Sequence, residues 1–133
     1  MKRILALTLM AFVATACASG LQRSKDDGPL TRYDGYIGEP IRGFTAMNPQ
    51  SWSPVGRDQL ILWTSLNDAW LIKVWANCTT NLQFANSVRV TSTVNTISTF
   101  DRVLIGRDSC PIEEIRPIDI RRWKADRKEA ETN

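Results

Sequence analysis

The stretch LILWTSLNDAWLIKVW, residues 60–75, decides the fold. Two runs rich in β-branched and aromatic residues flank Asn67 and Asp68, which are typical turn residues, so the pattern predicts a β-hairpin. Both faces of this hairpin are largely apolar, which places it centrally in a sheet that is covered on both sides. With a two-residue turn, the expected cross-strand pairs are Ser65 with Trp70, Trp63 with Ile72, and Ile61 with Val74.

Outside the hairpin, short apolar stretches alternate with turn residues, and no long segment has the helical period. Gly56-Arg57-Asp58 is expected to turn into the hairpin, and residues 82–87 could form a single helical turn. Further strands are predicted at residues 41–47, 52–55, 88–94, 102–105 and 112–120. About six or seven short strands without crossover helices predict a mainly β domain, either a small antiparallel sandwich or a barrel.

The first sixteen residues have the layout of a secretory signal peptide. Lys2 and Arg3 precede an apolar run that ends in small residues before Cys17. As a helix, this run would rise about 20 Å, too little for a hydrocarbon core of roughly 30 Å. Ala14-Thr15-Ala16-Cys17 looks like the lipobox of bacterial lipoproteins, in which the cysteine is acylated and becomes the new N-terminus. The alternative is cleavage at an Ala-x-Ala site, which would leave a periplasmic or secreted protein.

These features divide the chain into four parts. Residues 1–16 are the expected signal peptide, and residues 17–35 are expected to be a lipidated N-terminus with a flexible tether. Residues 36–120 form the predicted β-rich domain, and residues 121–133 a charged tail that is either a short helix or disordered. Because Ala18, rather than Asp, follows the cysteine, we expect an outer-membrane lipoprotein whose domain faces the periplasm.

Charge and cysteine content narrow the partners. When Lys2 and Arg3 leave with the signal peptide, the formal net charge falls from +3 to +1, so nucleic acid is not an expected partner. Once Cys17 is acylated, Cys78 and Cys110 remain in an oxidising compartment. One disulfide is therefore predicted, and the alternative is two free buried cysteines.

The chain has no histidine, the commonest general base and metal ligand, and no Gly-x-Ser-x-Gly or phosphate-loop motif. We therefore predict no catalytic residue, no metal site and no cofactor. An enzyme would have to use two carboxylates, as glycosidases do, and otherwise these are turn and surface residues. The candidates are Asp58, Asp68, Asp101, Glu113, Glu114 and Asp119.

Five tryptophans suit either a core or a surface that stacks on sugar rings. Trp63 and Trp70 fall on the apolar hairpin face and are expected in the core, whereas Trp52, Trp75 and Trp123 are candidates for sugar binding. Basic residues near the C-terminus could contact anionic lipid head groups close to the anchor, or serve only as a solubilising tail. They are Arg116, Arg121, Arg122, Lys124, Arg127 and Lys128.

Several short motifs resemble domain of unknown function 6491, a family of small exported proteins of Gram-negative bacteria. They are the leader with its cysteine, Ser51-Trp52-Ser53-Pro54, Leu62-Trp63-Thr64, Thr91-Ser92-Thr93-Val94, and Cys110 with the following Ile112-Glu113-Glu114-Ile115-Arg116-Pro117-Ile118-Asp119. The resemblance covers roughly residues 36–120, and its most specific part is residues 114–119. It implies the same acylated leader and the same cysteine pair, and it implies no activity.

The expected function is therefore that of a non-enzymatic envelope lipoprotein, attached to the membrane through its N-terminal lipid anchor. Its β-domain is expected to bind another envelope component, a protein held through an exposed sheet edge or apolar patch. The alternative is a carbohydrate-binding module for sugars of peptidoglycan or lipopolysaccharide.

Overall fold

The structure is a computed structural model that describes residues 22–23, 30–80, 82–92 and 94–133. The predicted signal peptide, Cys17 and most of the predicted tether lie outside these residues. The strands of the described residues are β1 (Gln22–Arg23), β2 (Gly43–Thr45), β3 (Ser51–Pro54), β4 (Gln59–Trp63), β5 (Ala69–Val74), β6 (Val88–Val90), β7 (Thr96–Ser98), β8 (Arg102–Ile105) and β9 (Asp108–Ile118). Leu30–Tyr33 and Leu82–Phe84 form 3₁₀ turns, and helix α1 spans Ile120–Thr132.

Seven strands form one curved sheet in the order β1-β3-β4-β5-β9-β8-β6, and β2 pairs with β7 in a separate ribbon. All pairs are antiparallel except β1 with β3, which run parallel. The sheet is nearly closed and barrel-like, so the predicted mainly β class is confirmed. Its longest strand, β9, pairs with β8 through its first half and with β5 through its second.

The central hairpin exists, but its predicted register is wrong. Leu62 lies opposite Trp70 and Ile61 opposite Leu71, a shift of three residues, because residues 64–68 form a longer loop. Within this loop Thr64 N–H donates to the Asp68 carbonyl at 3.0 Å, and the Ser65 hydroxyl donates to the Asp68 carboxylate at 2.7 Å. An odd shift exchanges the faces of one strand relative to the other. Trp63 and Trp70 therefore pack on opposite faces of the sheet.

The sheet has a core on each face, as the largely apolar hairpin predicted. The inner core lies between the sheet and the β2–β7 ribbon, where the Phe44 and Trp70 rings stack with centroids 4.2 Å apart. The outer core lies under the 3₁₀ turn at Leu30–Tyr33 and the start of α1. Its buried members are Tyr33, Ile61, Ala69, Leu71, Ile118 and Ile120.

Smaller elements differ from the prediction in ways that follow from their length. The strand expected over residues 88–94 ends at Val90, and β7 was not predicted, because three residues are too few to show a period. The turn at Leu82–Phe84 and the turn before β4 occur as predicted. The tail is the helical alternative: α1 begins at Ile120, and the side chain of the preceding residue, Asp119, caps it by accepting a hydrogen bond from Arg122 N–H.

The sheet has two ends that differ in what holds them. At the helix end, β3 begins at Ser51, residues 64–68 join β4 to β5, and β9 leads into α1. At the disulfide end lie the turn between β3 and β4, the segment that follows β5, and the start of β9.

Candidate functional site

A covalent bond between Cys78 and Cys110 holds the disulfide end, and their Cα atoms lie 5.7 Å apart. Cys110 is fully buried on β9, whereas Cys78 sits in the turn that follows β5. Cys78 N–H donates to the Trp75 carbonyl at 3.2 Å, and Asn77 has a φ of 62°, a left-handed conformation that asparagine tolerates. This turn aims Cys78 at the sheet, and the predicted disulfide is confirmed.

A groove of about 530 Å³ lies beside the disulfide. Thr79 anchors its floor, because the Thr79 hydroxyl donates to the Asp108 carboxylate at 2.9 Å and the residue is buried. The groove is lined by Arg57, Asp58, Ala76, Asn77, Thr79, Thr80, Gln83 and Phe84. The groove thus combines the aromatic ring of Phe84 with a guanidinium, a carboxylate, amides and hydroxyls. Polar ligands and protein side chains can both bind to such a combination of groups.

Three large aromatic side chains are exposed at this end: Trp75 at 60%, Phe84 at 80% and Phe100 at 94%. Trp75 and Phe100 flank β9, because Trp75 N–H donates to the Pro111 carbonyl and the Asp101 carbonyl accepts from Ile112 N–H. Two strand spacings separate such positions by about 10 Å. Phe84 lies in the groove wall with Ala76, the neighbour of Trp75. Trp75 and Phe100 thus flank residues 111–112, which follow Cys110, and Phe84 lies in the groove that the neighbours of Cys78 line.

The three tryptophans proposed for sugar binding differ in how far they are exposed. Trp52 is fully buried in the inner core, so its assignment as a surface candidate is wrong. Ser53 beside it is buried as well, so polar alternation along β3 does not indicate which face is covered. Trp123 is half-buried: its indole N–H donates to the Arg32 carbonyl at 3.0 Å, and Arg127 lies over its ring at 4.7 Å. Trp75 alone of the three keeps an exposed ring.

The candidate carboxylates are spread over the molecule. Asp68 and Asp119 line one shallow groove of about 380 Å³ at the helix end, where Asp68 accepts from Ser65 and Asp119 caps α1. Asp101 accepts from the Ser98 backbone and from Thr91, which fixes the turn before β8. These bonds give each of the three carboxylates a structural role.

Glu113 and Glu114 sit at a β-bulge in β9. Lys73 lies opposite Glu114 in the ladder, yet its ammonium pairs with Glu113 at 3.3 Å, because the register shifts between Lys73 and Val74. Glu114 pairs with Arg116, and this hydrogen bond, followed by smaller effects, raises the pKa of Arg116. Both glutamates are thus ion-paired on the side of the strand that carries Lys73. Asp58, the remaining candidate, lines the groove at the disulfide end.

Packing closes the helix end. Tyr33 is buried between Trp63 and Trp123, with ring centroids 6.5 and 5.1 Å away. The Tyr36 hydroxyl donates to Asp126 at 2.8 Å. This hydrogen bond, with desolvation and the charge of Asp126, raises the pKa of Tyr36 above its ordinary value. The 3₁₀ turn at Leu30–Tyr33 therefore packs on the outer core, although it precedes residue 36, the expected start of the β-rich domain.

Two kinds of feature are absent from the described residues. No group of three or more histidine, cysteine or carboxylate side chains there could hold a metal ion. No helix among them has both the length and the hydropathy that crossing a membrane requires.

No local pattern marks Phe84 and Phe100 as surface residues. Each is a single aromatic residue in a turn, where no period shows which way its side chain faces. The turn residues near Phe84 predict a loop between strands. Because such loops lie on the surface, this is the one indication in the sequence that Phe84 is exposed.

The chain matches a known protein family, and that match assigns no activity to it. The model of a family of unknown function (DUF6491) matches residues 1–133, and the chain belongs to that family. The expected resemblance is thereby confirmed. No curated protein and no solved structure matches the chain.

Proposed function

We propose that the protein is a cell-envelope lipoprotein, anchored through Cys17, whose disulfide end binds a partner protein. The observation that carries the proposal is the exposure of three aromatic side chains, Trp75, Phe84 and Phe100, near the two segments that the disulfide joins. Aromatic side chains are enriched in the centres of protein interfaces, where they lose water on binding. Exposed apolar side chains that lie close together mark interaction surfaces.

The disulfide suits this role because it adds a covalent link to the packing of the inner core. It joins the turn after β5 to strand β9 and so constrains the segments near the exposed rings. The aromatic rings can then stay outside the core and remain free to contact another molecule. The acylated cysteine would supply the anchor, since a chain that carries several acyl groups stays on a membrane.

In-cell photo-crosslinking tests this proposal. A photoreactive amino acid at Phe84, Phe100 or Trp75 should capture one and the same protein, because the three positions border one surface. The same amino acid at Glu129, which is exposed on α1, should not capture that protein. Capture of unrelated proteins from the three positions, or equal capture from Glu129, would refute a specific surface at the disulfide end.

The second candidate is a carbohydrate-binding module, and the groove at the disulfide end favours it. A sugar ring could stack on Phe84 while Arg57, Asp58 and Asn77 bond its hydroxyls. Calorimetric titration with soluble peptidoglycan fragments tests it. Binding that Phe84→Ala and Asp58→Asn both abolish, together with crosslinked adducts that a muramidase degrades, would place glycan ahead of protein as the ligand.

A further inference from the structure

We infer that the helix end lies against the anionic membrane surface, and that α1 holds it there through one basic flank. The inference deepens the proposed function, because it rests on the acyl anchor at Cys17 and states how the anchored domain is oriented. Three independent observations support it: where the chain joins the sheet, how charge is arranged around α1, and which apolar side chains are exposed nearby.

The first observation is the pairing of β1. Gln22 lies beside Ser51 and Arg23 beside Trp52 in a parallel pair, so the chain joins the sheet at the helix end. Cys17 precedes Gln22 by only five residues, which span at most about 18 Å when fully extended. An acyl anchor on Cys17 would therefore bring the helix end, and not the disulfide end, next to the membrane.

The second observation is that α1 separates its charges. At 3.6 residues per turn, four basic residues fall within an arc of about 120°, and Glu131 is the one acidic residue among them. These four are Arg121, Lys124, Arg127 and Lys128. Arg127 pairs with Glu131 at 3.9 Å, which leaves an excess of three positive charges on this flank. Asp126 and Glu129 fall on the other side of the helix together with Arg122, which pairs with Asp126, so that side carries an excess of one negative charge.

Contacts fix which way the basic flank faces. The Lys124 ammonium donates to the Leu66 carbonyl at 2.6 Å and to the Asn67 side chain at 3.1 Å. A small cavity of about 170 Å³ is lined by Lys124 and Trp123 together with Gln50 and Ser51. The basic flank is therefore next to Ser51, the residue beside which β1 joins the sheet.

The third observation is apolar exposure at the same place. Leu66 is 78% exposed at the tip of the β4–β5 loop, and Met47 is 72% exposed three residues before Gln50. Three residues place the Met47 Cα within about 11 Å of the Gln50 Cα. Exposed aliphatic side chains beside a cluster of Lys and Arg are the combination that binds an anionic lipid surface.

Fluorescence quenching by brominated lipids tests the orientation. The probe is the full acylated protein, reconstituted into vesicles that contain phosphatidylglycerol, with Leu66→Trp or Phe84→Trp as an added reporter. Both positions are exposed, so neither substitution should disturb the fold. The added fluorescence of Leu66→Trp should be quenched and that of Phe84→Trp should not. In vesicles of phosphatidylcholine alone, the Leu66→Trp signal should recover.

Charge reversal tests the role of α1. In the Leu66→Trp background, Arg121→Glu with Lys128→Glu should lower the equilibrium constant for membrane contact by at least about thirtyfold, because the loss of two positive charges near an anionic surface alone accounts for that factor. The matched control is Arg89→Glu with Arg107→Glu, the same change of charge at exposed positions toward the disulfide end, and it should leave quenching unchanged.

Two failures are distinguishable. Equal quenching of the two reporters, or equal effects of the two charge reversals, in protein whose Cys17 carries acyl groups by mass spectrometry would overturn the orientation alone. Protein that leaves the cell envelope without acyl groups on Cys17 would overturn the proposed anchor and, with it, this inference.

Discussion

The two ends of the sheet differ in how far their aromatic side chains are buried. At the helix end, Tyr33 is buried between the half-buried rings of Trp63 and Trp123, under a 3₁₀ turn and α1. At the disulfide end, Trp75 and Phe84 stay exposed beside a covalent bond. The difference teaches that covering segments bury the rings at the helix end, whereas at the disulfide end a crosslink reinforces the inner core and the aromatic rings nearby stay exposed.

The largest expected effect comes from removing the crosslink. Cys78→Ala with Cys110→Ala should lower the free energy of unfolding by about 3 to 4 kcal/mol, because the bridge closes a 32-residue separation in the unfolded chain. Urea denaturation followed by tryptophan fluorescence measures the loss. A loss below about 1 kcal/mol would mean that packing, and not the disulfide, holds this end.

The next effect contrasts one tryptophan from each end. Trp123→Ala should cost about 2 to 3 kcal/mol, since it removes a ring packed on Tyr33 and leaves a cavity in the outer core. Trp75→Ala should cost no more than about 0.5 kcal/mol, since that ring is exposed. Midpoints of urea denaturation for the two variants decide it, and similar midpoints would remove the contrast between the ends.

A smaller effect sharpens the role of α1 at the helix end. Asp119→Ala should destabilise the protein by about 1 kcal/mol, because the side chain caps the helix by accepting from Arg122 N–H. Asp119→Asn retains an acceptor and is the control, so its midpoint should stay close to that of the parent. Equal losses for the two variants would assign the effect to charge and not to capping.

The smallest effect concerns Tyr36, whose raised pKa comes first from its hydrogen bond to Asp126. A tyrosine with a raised folded pKa contributes stability that is present below its unfolded pKa of about 10 and is lost as pH rises through the folded value. Tyr36→Phe should therefore lower stability slightly and equally from pH 6 to 9, and the difference should vanish in stronger alkali. A difference that changes between pH 6 and 8 would point to another titrating group.

How much of the fold was predictable depended on whether a local pattern existed. The hairpin was predictable because two apolar strands flank a turn, but its register was not. Alternation specifies register only when one face is polar, and here both faces are apolar. The register depends instead on the length of the loop, which the hydrogen bonds between Ser65 and Asp68 stabilise.

The candidate site shows the same limit. Cys78 and Cys110 were predicted as a pair from the cysteine count, and the structure joins them. Trp75 was one of three equal candidates for surface binding, and only burial separated it from Trp52. Exposure depends on which distant segments cover a side chain, and no local pattern contains that information.

The sequence alone determined the mainly β class, the central two-faced hairpin and the cysteine pair, because apolar periodicity and residue counts are local or additive properties. Only the tertiary structure decided that Trp52 is buried, that α1 covers the outer core, and that aromatic side chains near the disulfide are exposed. Those outcomes depend on contacts between segments far apart in the chain, such as Trp123 with the Arg32 carbonyl, and packing fixes such contacts only when the whole chain folds.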